Sequence, residues 1–143
     1  MAKTLQDTRI QLQRGEVTSE RLVAEALAFV NSEEGQGDKV FIKVYEEQAM
    51  VQAKAIDQFR KSGAELHPLC GIPISIKDLF DVAGEITLSG SIVRKKSVPA
   101  SSDAHIVTKL RAAGAILIGR TNMTEFAFSG LGINPHYGTP LNP

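Results

Sequence analysis

The sequence predicts an α/β fold, and three observations carry that expectation. Apolar residues recur at helical spacing over residues 22–30 and again over 49–59. Ile72, Ile74 and Ile76 alternate with Pro73, Ser75 and Lys77, the period of a strand with two unlike faces. A helical stretch and the short apolar run Ala115-Ile116-Leu117-Ile118 come next, so the order from Ile72 to Ile118 is that of a parallel strand–helix–strand crossover carrying a long insertion.

Taken in order, the chain opens with a helix, because Thr4 and Asp7 have the spacing of a capping box. A second helix carries Leu22, Val23, Ala26, Leu27 and Val30 behind the caps Thr18 or Ser19. Residues 31–38, with Gly35, Gly37 and several charged side chains, read as a surface loop before the β-rich run Val40-Phe41-Ile42-Lys43-Val44. A third helix is expected over 46–62, its stripe being Ala49, Ala53, Ile56 and Phe59 and its stop Gly63. A linker runs through Pro68. Pro73 cannot donate to a ladder, so it marks a strand beginning or an edge. Ser101-Ser102-Asp103 offers caps to a helix over 104–113 with Ile106, Val107 and Leu110 on its apolar face and Gly114 at its end. Asn122 with Glu125 signals one more helix start, closed by Ser129-Gly130. No repeat or low-complexity segment interrupts this order.

Composition narrows the function classes. The chain has 143 residues, 43% hydrophobic and 22% charged, with 16 basic side chains against 16 acidic ones. That balance argues against a nucleic-acid or anionic-membrane partner. No apolar run approaches the ~18 residues of a membrane span, and the polar opening Met1-Ala2-Lys3-Thr4-Leu5-Gln6-Asp7 lacks the apolar core of a signal peptide. A cytoplasmic protein is expected. Cys70, the only cysteine, cannot form an internal disulfide and is expected as a buried, inert thiol. His67, His105 and His136 lie far apart without ligand spacing, so no metal is expected. No phosphate-binding glycine signature comes after a strand, and no cofactor is expected.

Lys77 is the sharpest chemical candidate. A lone lysine on the polar face of a strand is ordinarily a solvated cation, but its surroundings are distinctive. Gly71-Ile72-Pro73-Ile74-Ser75-Ile76-Lys77-Asp78, Asp81-Val82-Ala83-Gly84, Ser89-Gly90-Ser91, Asp103-Ala104, Leu110-Arg111-Ala112-Ala113-Gly114-Ala115 and Gly119-Arg120-Thr121-Asn122-Met123-Thr124-Glu125-Phe126-Ala127 together resemble the amidase signature family, in order and spacing. The resemblance covers nearly the whole chain. It implies the N-terminal part of a mixed β-sheet surrounded by helices, expected to be incomplete. Residues 1–143 would then be the first portion of a single amidase domain, with leading helices over 1–38 and the α/β portion over 39–143.

The resemblance further implies hydrolysis of carbon–nitrogen amide bonds by a Ser–cis-Ser–Lys triad. In that chemistry a serine hydroxyl attacks the carbonyl, a second serine relays its proton and the lysine accepts it. Lys77 occupies the lysine position. The serines belong to a Gly-Gly-Ser-Ser-Gly-Gly-like stretch and a downstream serine, both expected beyond Gly138-Thr139-Pro140-Leu141-Asn142-Pro143. None of Ser75, Ser89, Ser91, Ser101, Ser102 or Ser129 stands in that glycine-rich context, and none is assigned as nucleophile. The chain alone is therefore expected to be inactive. A base working near neutrality must come down from about 10.4 to near 7, a bias of about 4 kcal/mol against its charged form. That requires burial, and Lys77 is expected to be exposed and protonated in this chain.

Thr87-Leu88-Ser89-Gly90-Ser91 resembles the family's hydroxyl-bearing turn near the lysine, and reads equally as a polar turn using Gly90 for its backbone freedom. Ala127, Phe128 and Ser129 resemble the segment bordering the acyl part of a substrate. Core packing of Phe126 or Phe128 stands beside that reading. Asn122 and Glu125 read as capping and structural groups. The family's transfer-RNA-dependent amidotransferase A-type subunits tend to read Asp-Glu-Phe-Ala-Met-Gly-Ser-Ser where this chain has Thr124-Glu125-Phe126-Ala127-Phe128-Ser129-Gly130-Leu131. That departure favours a general amidase acting on a small-molecule amide. Two alternatives stay open: a fragment of such an amidotransferase component, and a non-catalytic interaction module that self-associates through exposed sheet edges.

Overall fold

The computed structural model describes residues 4–142. Met1-Ala2-Lys3, in the polar opening, and Pro143, in the closing motif, lie outside the described residues. Helix α1 (Leu5–Gln13) begins with the expected capping box: the Thr4 hydroxyl accepts from the Asp7 amide, and the Asp7 carboxylate accepts from the Thr4 amide. Helix α2 (Ser19–Val30) is capped by Thr18. A second cap comes from far along the chain, since the Asp57 carboxylate accepts from the amides of Ser19 and Glu20 at 2.8 and 2.9 Å. The loop expected over 31–38 contains the start of a single helical turn, α3 (Gly37–Val40), and strand β1 (Phe41–Val44) begins one residue later than its sequence suggests. Helix α4 (Glu46–Lys61) buries Ala49 and Ala53, but Phe59 lies off its stripe and is exposed.

Strand β2 (Pro73–Lys77) starts at its proline and occupies a sheet edge, where the missing donor costs nothing. Helix α5 (His105–Ala112) has no side-chain cap. The cap expected from Ser101-Ser102-Asp103 is corrected: Asp103 instead accepts from the Ala83 amide and pairs with Arg111, tying the long insertion to α5. Ile106 is exposed, leaving Val107 as the buried residue of that helix. Strand β3 (Ile116–Thr121) runs past its apolar stretch through Gly119, Arg120 and Thr121. The helix expected from Asn122 to Ser129-Gly130 is only a 3-10 turn at Glu125–Ala127, and a further 3-10 turn lies at Ile92–Lys96.

The three strands form one mixed sheet in the order β1-β3-β2, with β2 and β3 parallel through the expected crossover and β1 antiparallel to β3. Central β3 is buried on both faces. Ile116 and Ile118 pack with Val23 and Leu27 of α2 and with Ala49 and Ala53 of α4. Leu117 packs on the other side with Ile76, Val82, Val107 and Tyr45. Among the described residues no helix is long and apolar enough to cross a membrane.

One irregularity in the ladder sets the direction of the side chains at the end of β3. In the parallel pairing Ile74 lies opposite Leu117 and Ser75 opposite Gly119, so Ile118 is an extra residue. A bulge of this kind places two successive residues on one face and inverts the alternation beyond them. Gly119 accordingly faces the side of Ile118: a Cβ there would meet the Lys43 carbonyl oxygen at 2.5 Å and the Phe41 ring at 2.7 Å. Arg120 is turned to the face of Leu117. Gly119→Ala is therefore expected to destabilise the fold by about 1–3 kcal/mol through overpacking. Thermal unfolding checks this, and an unchanged Tm would contradict the close strand approach.

Candidate active site

At the end of β2 the alternation sends two neighbouring charged side chains in opposite directions. Lys77 is exposed and pairs in register with Thr121. Its side chain borders an open cavity of about 330 Å³ that Thr121, Asn122, Ser129 and Pro140 also line. Asp78 points the other way and is buried. Its amide donates to the Thr121 carbonyl at 3.0 Å, carrying the ladder one residue past the strand.

Asp78 meets Arg120 there, Oδ1 lying 2.8 Å from Nη2, with the two side chains 1% and 2% exposed. The same guanidinium donates to the carbonyls of Phe80 (3.1 Å) and Ile86 (3.3 Å), to the Thr87 hydroxyl (2.9 Å) and to the Glu85 carboxylate (3.3 Å). The Thr87 hydroxyl donates onward to Asp81 at 2.6 Å. Lys43 and the Tyr45 hydroxyl each donate to Glu85 at 2.8 Å. Burial pushes the Asp78 carboxyl up, opposed by the Arg120 charge and by the peptide N–H groups of Leu88, Gly90 and Ser89. Burial acts on Glu85 in the same sense, but hydrogen bonds from Lys43, Tyr45 and Arg120 outweigh it and hold that carboxyl below its usual range.

The Thr87–Ser91 turn closes over this pair. The Ser89 amide donates to the Asp78 carbonyl, and the Ser89 carbonyl accepts from the Phe126 amide. Ser89 holds φ 54°, a region an L residue rarely occupies, and Gly90 comes next at φ 67°. A side chain at Gly90 would meet the Met123 carbonyl at 2.5 Å. Buried Asn134 bridges the same two segments, donating to the Gly90 and Met123 carbonyls at 2.8 and 2.6 Å while its Oδ1 accepts from His136 and Tyr137. The Asn122 amide group donates to the carbonyls of Lys39 and Gly138, so its role is to staple three segments together.

Of the residues singled out from sequence, Lys77 and Ser129 come together on one cavity. Ala127 and Phe128 do not line it. Phe128 is 93% exposed, and Phe126 is 51% exposed, so core packing of either ring is not found. Cys70 is half-buried rather than fully buried, and burial raises its thiol. Among the described residues no three His, Cys, Asp or Glu side chains are placed to hold a metal ion. Sequence reasoning missed Asp78, Glu85, Arg120 and Asn134 as a connected unit. The available signal was Arg120 itself, a cation two residues past the apolar run 115–118, where a buried strand would leave an unpaired charge untenable.

Comparison with known proteins adds the context. A family model described as Amidase matches residues 27–143. The chain is 40% identical over 129 residues to the AtzE component of 1-carboxybiuret hydrolase from Pseudomonas sp. (strain ADP), covering 90% of this chain and 28% of that protein. It is 38% identical over 133 residues to the A subunit of the glutamyl-tRNA(Gln) amidotransferase of Rhodopirellula baltica, covering 93% of this chain and 26% of that protein. Its fold superposes with TM-score 0.87 and 37% identity on an inhibitor-bound vestigial protein complex described as revealing the evolutionary origins of an s-triazine catabolic enzyme, covering 95% of this chain and 30% of that one. The chain thus spans under a third of these relatives' length.

The network around Glu85 has a pH signature. Burial first, then the hydrogen bond to Glu85, raises the Tyr45 phenol above its ordinary value. A group raised on folding contributes stability fully present below its unfolded pKa of about 10 and lost as pH climbs beyond it toward the folded value. Tm should fall more steeply above about pH 10 in the parent than in Tyr45→Phe. Equal slopes in thermal melts across that range would contradict the buried phenol.

Proposed function

The chain belongs to the amidase signature family, and we propose that it is part of a hydrolase that cleaves the carbon–nitrogen bond of a small-molecule amide with Lys77 as proton acceptor. Residues 1–143 are, on this reading, one portion of a single amidase domain. The observation that carries it is the end of β2: Lys77 stands on an open cavity while Asp78 beside it is held in a buried ion pair. A base must approach its hydroxyl partner in one direction, and a strand end tethered on its opposite face provides that direction.

In the proposed reaction a serine oxygen bonds to the amide carbonyl carbon and its proton passes through a second serine to the Lys77 amine. The C–N bond then breaks, the departing nitrogen takes a proton, and water releases the acid. No serine of this chain is assigned to either role. Ser129, on the Lys77 cavity, with Ala127 and Phe128 beside it in sequence, borders the acyl part of the substrate. We propose no nucleic-acid or membrane partner, on the balanced charge, and no metal, since His67, His105 and His136 lack ligand spacing; no cofactor and a cytoplasmic location complete the proposal. Self-association through the outer edges of β1 and β2 accompanies the chain when it stands alone.

The 38% identity to the A component of an amidotransferase supports a second reading, in which the chain is part of such a component. The stretch 124–131, which departs from the pattern of those proteins, favours the small-molecule amidase. Ammonia release from acetamide, propionamide and benzamide tests the proposal in the gene product at its natural length. Lys77→Ala is expected to lower kcat/KM by about 10²–10⁴-fold, and residues 1–143 alone should show no turnover. Parental rates in Lys77→Ala, or robust hydrolysis by the short chain, would overturn it.

A further inference from the structure

We infer that Asp78 and Arg120 are positioning residues for this amide hydrolysis: their buried pair locks the end of β2 in rotation, so that Lys77 and the Thr87–Ser91 turn keep one mutual arrangement. The inference rests on the reading of Lys77 as the base. It starts from chain geometry, because adjacent side chains on a strand leave opposite faces. A strand terminus is free to fray and swivel. Here the residue after Lys77 is gripped on the face away from the cavity, at 2.8 Å, by a guanidinium 2% exposed.

The same guanidinium reaches two separate points of the insertion after β2. Phe80, two residues past Asp78, gives it a carbonyl, and Ile86 and Thr87 give it a carbonyl and a hydroxyl. Closer to Lys77, its own carbonyl accepts from the Phe80 amide, and the Asp78 carbonyl accepts from the Ser89 amide. Arg120 therefore holds, within one or two bonds, the lysine's peptide and the turn carrying Ser89 in its positive-φ conformation. A lysine in place of Arg120 could reach one of these acceptors but not the fork of them. Leu or Met would fill the volume and leave Asp78 buried without its partner.

The bulge at Ile118 and Gly119 is what makes the contact possible, since an uninterrupted alternation would put Arg120 on the side of Ile116 and Ile118. A geometric requirement of this kind is tested by a split between kcat and KM. Asp78→Asn, nearly isosteric, is expected to lower kcat by about 10–100-fold with KM moving less than about threefold, because a misplaced catalytic group costs rate rather than uniform binding. Thr87→Val, a milder change, should lower kcat by about 3–10-fold in the same pattern.

The measurements are made on the natural-length gene product by ammonia release from acetamide, propionamide and benzamide, with rates scaled to the folded fraction from circular dichroism. Folded Asp78→Asn at parental kcat overturns the inference and leaves a pair that only stabilises the fold. If Asp78→Asn does not fold, Thr87→Val decides, and its parental kcat overturns the inference equally. Lys77→Ala in the same series separates the two failures: an inactive Lys77→Ala with an active Asp78→Asn sinks the positioning role alone. An active Lys77→Ala sinks both.

Discussion

One guanidinium organises this stretch of chain. Arg120 leaves the central strand on the side of the long insertion, forms an ion pair with Asp78 and donates to acceptors contributed by Phe80, Glu85, Ile86 and Thr87. Burying such a charge is unfavourable unless its donors are met, and removing one partner of a buried pair typically costs about 3–5 kcal/mol. That is a large share of the roughly 5–15 kcal/mol that separates folded from unfolded domains. The insertion between β2 and α5 has little regular structure, a single 3-10 turn, and scattered backbone bonds such as those joining Gly84 and Glu85 to Ala100 and Ala104 to Asp81. Hydrogen bonds to Arg120, together with Asp103 on Ala83 and Asn134 on Gly90, add to them in holding its shape.

The consequence for chemistry lies in the adjacency of Lys77 and Asp78. Strand alternation converts a fixed anion on one face into a fixed direction for the amine on the other, without any contact to the amine itself. The amine stands at an open cavity, and a neutral lysine near pH 7 needs low-dielectric surroundings. On the proposed reading, position and direction come from the residues described here. Phe126, Phe128, Leu131, Ile133 and Leu141, close in sequence to the cavity-lining Ser129, Gly130, Gly132 and Pro140, are exposed.

Local rules were legible where the responsible contacts are local. The Thr4–Asp7 capping box, the α2 stripe and the proline that opens β2 arise from spacing within a few residues, the parallel crossover arises from the order of such local elements, and all are present. Two of the misreadings, at Asp103 and Asn122, share one cause. Asp103 carries the chemistry of an N-cap, but a free amide at Ala83 and a cation at Arg111 compete for it. Asn122 likewise looks like a helix start and instead satisfies the Lys39 and Gly138 carbonyls, 83 and 16 residues away. A polar side chain near a helix signal is ambiguous until its distant competitors are known.

Sequence by itself determined the α/β class, the order of the principal elements, the family and the presentation of Lys77 at a strand end, because periodicity and motif spacing are properties of neighbouring residues. Tertiary structure alone decided which face Arg120 occupies, which carboxylates it pairs with and which hydroxyl-bearing residues share a cavity with Lys77. The physical reason is the bulge at Ile118 and Gly119: a one-residue slip in pairing between strands reverses every side chain beyond it, and pairing register is a relation between strands, with Gly119 lying where a Cβ would meet Lys43 and Phe41 of β1.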